Sequence, residues 1–188
     1  LAVFQASGAP GDRLLTTAPT FGYYAPCARM QGMVIEAIPY AGDDFAFPLQ
    51  AIDFPPRAPP APVLVSRTPT SPPGTRLAAE RILALASMAP NTLVVVDELY
   101  EAFTGDSVLP AADFETTPNL LVLRSLAKTA GLAGLRVGFA VGHPAVIDRI
   151  GRVTGPYDVN SVAVAAAFAA LADQSYVDAY VAEVLRAR

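Results

Sequence analysis

The sequence predicts an α/β fold, with a mainly parallel sheet covered by helices on both faces. Short apolar runs alternate along the chain with longer segments of helical periodicity. Most of these runs are apolar throughout, which is typical of parallel strands buried on both sides. The 188 residues are 53% hydrophobic and 16% charged, so the chain can build a sizeable core and is not a disordered one.

Each element follows from its local pattern, taken in chain order. Strands are predicted at 13–17, 33–38, 63–66, 93–96, 120–123 and 137–141. Helices are predicted at 24–32, 76–89, 144–153, 161–172 and 175–187, and the first five residues resemble the interior of another helix. The Pro-rich stretch 43–62 is predicted to be irregular, with a short helix near 49–52.

Composition also argues against several classes of partner. The formal net charge is -4 and there is no run of Lys or Arg, so nucleic acid is not an expected partner. The apolar run 162–172 is shorter than the roughly 20 residues of a membrane span, and we predict a buried helix there. Residues 1–5 have no basic flank and do not resemble a signal peptide. With Cys27 as the only cysteine, a cytoplasmic location is expected.

One lysine stands out among the basic residues. Of thirteen Lys and Arg side chains only Lys128 is a lysine, and Arg stays protonated in proteins. A lysine nucleophile in this chain must therefore be Lys128. It follows the predicted strand 120–123, and Asp97 ends the strand 93–96. Ligands of parallel sheets bind beyond the carboxyl ends of strands, where both residues are expected.

These residues have the chemistry that pyridoxal phosphate requires. The cofactor needs a lysine amine for its aldehyde, a carboxylate for its ring nitrogen, and hydroxyl and Arg donors for its phosphate. Tyr100 lies three residues after Asp97, Ser125 precedes Lys128, and Arg136 follows the Gly-rich stretch 131–135. No metal site is predicted.

Three segments in this order resemble the fold-type I, class I and II pyridoxal-phosphate aminotransferases. They are VVDELYEAF (95–103), NLLVLRSLAK (119–128) and GLAGLRVG (131–138). PGDR (10–13), PTFGYY (19–24) and PYDVNS (156–161) fit the same family, within which the histidinol-phosphate aminotransferase group is the most similar. The resemblance covers nearly the whole chain.

The resemblance implies a role for each matching residue. Lys128 is implied as the Schiff-base lysine and proton carrier, Asp97 as the partner of the ring nitrogen, Tyr100 as the donor to the ring oxygen, Ser125 and Arg136 as phosphate ligands, and Phe21 as the aromatic stacked on the ring. Homodimers with active sites completed across the interface are also implied, together with an amino donor and a 2-oxo acid acceptor as substrates.

The sequence departs from the family pattern in three respects. The segment TPTSPPG (68–74) has Ser71 where the family has an Asn that helps to hold the ring oxygen, and Ala127 stands where this group often has Ser. The match also implies only the large cofactor-binding domain, spanning 1–188. An N-terminal arm, a Gly-Ser phosphate loop and the small domain with its substrate-binding Arg have no counterpart in these residues.

Several interpretations remain open at this stage. The leading one is transamination between an amino acid, or a histidinol-phosphate-like amino alcohol phosphate, and a 2-oxo acid. Decarboxylation of an amino acid phosphate on the same scaffold, a truncated non-catalytic chain and an acidic interaction module are the alternatives. Taken singly, Asp97 could be a turn cap, and Tyr100 and Phe21 core aromatics. His143 is expected to begin a helix, and Cys27 to be a small buried side chain.

Overall fold

Six strands form one sheet within the part of the chain that the computed structural model describes, which is residues 1–48, 52, 63–69 and 74–187. The strands are β1 (Arg13–Ala18), β2 (Val34–Pro39), β3 (Val63–Arg67), β4 (Leu93–Asp97), β5 (Leu120–Ser125) and β6 (Gly138–Gly142). Every predicted strand is present, each within about two residues of its expected bounds.

The strand order is β2-β1-β3-β4-β5-β6. All neighbours pair in parallel except β6, which runs antiparallel to β5 with Gly138 opposite Ser125. The predicted mainly parallel sheet is therefore confirmed. From β1 the chain continues to β2 on one side, whereas from β3 it continues to β4 on the other side. The direction in which the chain adds successive strands to the sheet therefore reverses between β1 and β3.

Helices cover both faces of this sheet, as predicted. The helices are α1 (Ala2–Ser7), α2 (Tyr24–Met30), α3 (Ala79–Met88), α4 (Pro144–Gly151), α5 (Ser161–Ala172) and α6 (Gln174–Arg186). Residues of α1, α2 and α4 pack on one face, and those of α3 pack on the other. Because α2 and α3 join strands that advance in opposite directions, right-handed crossovers put them on opposite faces.

Alternate side chains of the central strands supply the two halves of the core. Leu14 and Leu15 are adjacent in β1 and both are fully buried, on opposite sides of the sheet. Val94 and Val96 join the cluster around α3, and Val95 joins the cluster around α2. Burial on both faces explains why these strands are apolar at every position.

The predicted burial of the apolar run 162–172 is wrong, although the helix itself is present as α5. Of its residues, Ala163 alone is buried; Ala167 and Ala170 are partly buried and pack on the core. Val164, Phe168 and Leu171 lie on another side of α5 and are 41%, 71% and 56% exposed. The reason is geometric: an all-apolar sequence does not determine which side of a helix meets the core, and here a stripe of alanines does.

None of the helices in the described ranges combines the length and the apolar character that crossing a membrane requires. The short helix expected near 49–52 falls almost entirely outside the described residues.

Candidate functional site

The carboxyl ends of β1, β3, β4 and β5 meet at one edge of the sheet, because these strands are parallel. In a sheet of this type the crevice for a ligand lies at this edge, beside the point where the strand direction reverses. That point is between β1 and β3, next to β4. Residues that follow these strands are therefore the candidates for binding.

Asp97 is the last residue of β4, and both oxygens of its carboxylate accept hydrogen bonds. The Tyr24 hydroxyl donates to Oδ2 over 2.5 Å, and the Leu99 backbone N–H donates to Oδ1 over 3.2 Å. Tyr24 is the first residue of α2 and is only 7% exposed. Two donors on opposite oxygens fix the rotation of the carboxylate, so that Asp97 presents a stationary negative charge.

Phe21 lies on the same side of the site, in the loop after β1. Its ring meets the ring of Tyr24 edge-on, with 5.5 Å between centroids, and its backbone carbonyl accepts from the Tyr24 N–H over 3.2 Å. The Phe21 side chain is 44% exposed. Phe21, Tyr24 and Asp97 therefore form a continuous series of contacts, with one exposed aromatic and one carboxylate at its ends.

Lys128 and Tyr100 come together from the ends of two neighbouring strands. Tyr100 follows β4 by three residues, and Lys128 follows β5 by three residues. The Lys128 Nζ lies 5.8 Å from the centroid of the Tyr100 ring, within the range of a cation–π contact. The amine is on an exposed residue and is accessible to a ligand.

Ser125 and Arg136 flank the strand pair β5–β6. The Ser125 hydroxyl donates to the carbonyl of Val137 over 3.1 Å and accepts from the N–H of Ala127 over 3.1 Å. Ser125 is thus tied to the residue next to Arg136. The Arg136 guanidinium is exposed and donates from Nη1 to the carbonyl of Ala133 over 2.9 Å.

Arg136 also has an unusual backbone. Its φ of 57° and ψ of 40° lie in the left-handed region, which costs a non-glycine residue about 1–2 kcal/mol. It ends the short 3-10 turn 133–135, which follows Gly131 at φ 68°. Strained residues of this kind concentrate at functional sites, which agrees with the role expected for Arg136.

The two single-residue departures from the family pattern, Ser71 and Ala127, have different outcomes. Ser71 lies outside the described residues, so its expected contact stays a prediction. At Ala127 the side chain has no hydroxyl, but its backbone N–H is directed at Ser125 Oγ.

Thr20 directly precedes Phe21 in the chain. Its hydroxyl oxygen is buried and has no hydrogen-bond partner among the described residues. A buried hydroxyl without a partner marks a place where a polar ligand atom would be satisfied.

A buried ion-pair network lies beside this site, and it was not predicted from the sequence. Glu98 is 1% exposed and accepts hydrogen bonds from Ser107 Oγ, the Val108 N–H and Arg124 Nε, at 2.9, 2.7 and 2.9 Å. Arg124 also pairs with Glu101. Burial raises the pKa of the Glu101 carboxyl, while Arg124 acts to lower that pKa and Glu98 to raise it.

The network lines a cleft of about 140 Å³ between the segment after β4 and helices α5 and α6. Because side chains alternate along an extended chain, Glu98 faces away from Asp97. The cleft nevertheless adjoins the segment that carries Lys128, because Ser125, Leu126 and Thr129 also line it. The role of the network is to join the ends of β4 and β5, where Asp97 and Ser125 are carried.

Sequence reasoning missed Tyr24, Glu98 and Arg124. Each was within a quoted motif, but none was assigned a role. One signal was available for the ion pair: opposite charges occur at the ends of two buried strands that follow each other in the chain. Two interpretations that assigned a purely structural role are confirmed, those of His143 and Cys27. His143 begins α4 and accepts from the Ala145 N–H over 3.2 Å, and Cys27 is 2% exposed.

The fold and the gathered side chains define a class of protein. A mainly parallel sheet with a lysine, a held carboxylate and a tyrosine at its carboxyl edge is the arrangement of the fold-type I pyridoxal-phosphate enzymes. The chain belongs to the aminotransferase class I and II family, whose family model matches residues 1–188.

Similar proteins agree with this assignment. A histidinol-phosphate aminotransferase of Chromobacterium violaceum is 40% identical over 172 residues, which are 90% of this chain and 46% of that protein. The crystal structure of histidinol-phosphate aminotransferase from Sinorhizobium meliloti in complex with pyridoxal-5'-phosphate superposes with a TM-score of 0.84 at 26% identity, covering 98% of this chain and 50% of that one. L-threonine-O-3-phosphate decarboxylase from Porphyromonas gingivalis superposes with a TM-score of 0.82 at 27% identity, covering 98% and 55%. The chain therefore spans about half the length of the proteins that it matches.

Proposed function

We propose that this chain carries the cofactor site of a pyridoxal-phosphate-dependent transaminase. Its substrates would be an amino acid, or an amino alcohol phosphate such as histidinol phosphate, and a 2-oxo acid. The observation that carries the proposal is the pairing of Lys128 with Tyr100 at the strand ends next to the held Asp97 carboxylate. The names of the similar histidinol-phosphate aminotransferases support the choice of reaction and of substrate.

The side chains present fit the cofactor. Asp97 offers a fixed negative charge to a protonated ring nitrogen, and the Tyr100 hydroxyl would donate to the ring oxygen. Ser125 and Arg136 would hold the phosphate, and Phe21 would cover one face of the ring. The unsatisfied Thr20 hydroxyl further favours a polar ligand at this edge. Ser71 is proposed as a weaker donor to the ring oxygen, because it replaces a longer Asn side chain.

Lys128 would perform two tasks. Its amine would hold the cofactor through the aldehyde group. Lys128 Nζ would also take the proton from the substrate Cα, which requires a free, neutral amine within reach of that carbon. When bound, pyridoxal phosphate supplies a ring that withdraws electrons from this carbon. Asp97 favours that withdrawal by stabilising positive charge at the ring nitrogen.

The proposal also includes an assembly state and a location. We propose a homodimer, supported by the exposed apolar stripe of Val164, Phe168 and Leu171 on α5. We also propose a cytoplasmic location, supported by the single, buried Cys27, which has no disulfide partner in this sequence.

The first test locates the covalent attachment. Pyridoxal phosphate and borohydride are added to this chain and, in parallel, to the complete gene product that contains it, and peptides are mapped by mass spectrometry. We expect one pyridoxyl group on Lys128 and none on that position in Lys128→Ala. In this chain the α-amino group is the internal control, because it is the only other primary amine among the 188 residues. A reducible adduct retained by Lys128→Ala elsewhere in the site would contradict the assignment.

The second part of the test separates the reactions. The complete gene product is incubated with histidinol phosphate or amino acid phosphates, with and without a panel of 2-oxo acids. Amino exchange that requires a 2-oxo acid supports transamination. Release of CO2 without a 2-oxo acid would support the decarboxylase alternative, for which the similarity to the threonine-phosphate decarboxylase is the favouring observation.

A further inference from the structure

We infer that Tyr24 is a positioning residue for the cofactor site, acting through the carboxylate of Asp97. The inference rests on the proposed function, because Asp97 is the group offered to the ring nitrogen. Tyr24 itself has no proposed contact with the cofactor. Its effect would be to hold the Asp97 carboxylate in one rotation and to link that carboxylate to the aromatic Phe21.

The geometry of the contact carries the first step. Tyr24 and Asp97 are separated by 73 residues, yet the Tyr24 hydroxyl lies 2.5 Å from Oδ2. A hydroxyl donating to a carboxylate at this distance is a strong, charge-assisted hydrogen bond. The Leu99 N–H holds the other oxygen over 3.2 Å. Of these two donors only the hydroxyl belongs to a side chain, so a substitution can remove it without altering the turn after β4.

The burial of Tyr24 carries the second step. Its side chain is 7% exposed and packs in the core cluster with Cys27, Ala28 and Val95. The ring therefore cannot turn away from Asp97 without opening the core. Because the same ring contacts Phe21 edge-on at 5.5 Å, one buried tyrosine touches both the carboxylate and the aromatic that are proposed to meet the cofactor ring.

Tyr24 thereby holds the Asp97 carboxylate in a fixed orientation before any ligand binds. A carboxylate that rotates freely spends only part of its time directed at the ring nitrogen, and binding must then pay for ordering it. With Tyr24 and Leu99 in place, Asp97 is ordered before the cofactor arrives. The consequence is specific: loss of the Tyr24 hydroxyl should weaken pyridoxal phosphate only as far as Asp97 contributes to its binding.

The test is a double-mutant cycle on pyridoxal phosphate affinity, measured by the absorbance of the bound cofactor in the complete gene product. Tyr24→Phe removes the hydroxyl and keeps the ring, and Asp97→Asn removes the charge that the hydroxyl holds. We expect Tyr24→Phe to weaken binding by about tenfold in the wild-type background, the size of one charge-assisted hydrogen bond, and by less than about twofold in the Asp97→Asn background. Equal losses in both backgrounds would overturn the inference, since Tyr24 would then act independently of Asp97.

Tyr23→Phe is the matched control. Tyr23 precedes Tyr24, also contacts Phe21, with 6.4 Å between ring centroids, and is 52% exposed, so loss of its hydroxyl should leave the affinity unchanged. A loss in Tyr23→Phe equal to that in Tyr24→Phe would also count against the inference.

A measurement without cofactor separates this inference from the proposed function. Amide hydrogen exchange at Leu99 reports whether Asp97 still accepts from that N–H. We expect faster exchange at Leu99 in Tyr24→Phe than in Tyr23→Phe, and unchanged exchange would contradict the alignment. If the wild-type protein forms no pyridoxyl adduct on Lys128, the proposed function fails whatever the exchange at Leu99 shows, and the role of Tyr24 at the cofactor fails with it.

Discussion

At the scale of single residues, two adjacent carboxylates at the end of β4 have different roles. Asp97 and Glu98 are both carboxylates, but successive side chains point to opposite faces of the sheet. Asp97 is half-buried and meets Tyr24 at the proposed cofactor site. Glu98 is buried and is neutralised by Arg124. The first carboxylate is therefore available for ligand chemistry, and the second joins two strand ends.

Arg124 provides the prediction at this scale. Replacing it by Met leaves the Glu98 charge buried and unpaired, which should lower the free energy of unfolding by about 3–5 kcal/mol. Arg152→Met is the control: its pair with Asp148 is exposed on both sides and should contribute about 0–1 kcal/mol. Urea denaturation of the two variants measures the difference.

The design allows for a variant too unstable to purify. Adding Glu98→Gln to Arg124→Met removes the unpaired charge and should restore part of the lost stability. Equal destabilisation by Arg124→Met and Arg152→Met, or no recovery in the double variant, would show that Glu98 does not depend on Arg124 for its neutralisation.

At the scale of elements, the side chain of Asn119 connects the end of α3 to the segments that precede β4 and β5. The Nδ2 of Asn119 lies 2.9, 3.0 and 2.9 Å from the carbonyl oxygens of Ala86, Ala89 and Thr92, which share its two N–H donors. The last turn of a helix leaves carbonyls without intrahelical partners, and Asn119 satisfies such groups at the end of α3 and in the turn to β4. Since Asn119 directly precedes β5, its side chain connects the start of β5 to the end of α3.

We predict that Asn119→Ala destabilises the fold by about 1–3 kcal/mol, because it removes a side-chain donor from the carbonyls of the buried residues Ala86 and Thr92. Asn91→Ala is the matched control: Asn91 is an exposed residue in the same turn, and its loss should change stability by less than about 0.5 kcal/mol. The measurement is the shift of the thermal midpoint. Equal shifts for the two variants would mean that the bonds of Asn119 are replaced by water at no cost.

At the scale of the whole molecule, α5 leaves large apolar side chains exposed to solvent. Its alanine stripe packs inward, whereas Val164, Phe168 and Leu171, spaced by four and three residues, form an exposed apolar stripe. Tyr157, before the helix, is 92% exposed. An exposed apolar surface of this kind is typical of an interaction site, and we propose that it meets the second copy in the homodimer.

The prediction at this scale concerns assembly. We expect the complete gene product to be a dimer by light scattering, and the pair of changes Phe168→Ser and Leu171→Ser to shift it toward the monomer. Met88→Ser is the control, because Met88 is 68% exposed but lies on α3, away from this stripe. A dimer that is unaffected by the α5 changes would exclude this stripe as the interface.

The sequence by itself determined the strands and helices and the candidate residues of the site. Buried parallel strands are apolar at every position, so local pattern alone located all of the strands that the structure describes. Lys128 was singled out because no other lysine exists, and the spacing of Asp97, Tyr100, Ser125 and Arg136 carried the family resemblance. These signals are local in the chain and need no knowledge of which strands become neighbours.

The tertiary structure decided what depends on strand order and side-chain direction. Only the order β2-β1-β3-β4-β5-β6 brings the start of α2 against the end of β4, so the contact between Tyr24 and Asp97 could not be read from residues that are 73 positions apart. The alternation of faces separated Glu98 from Asp97, and the packing of alanines left Phe168 exposed. Periodicity reports whether a residue is apolar and in which element it lies, whereas contacts between distant segments are set by the packing of the whole sheet and its helices.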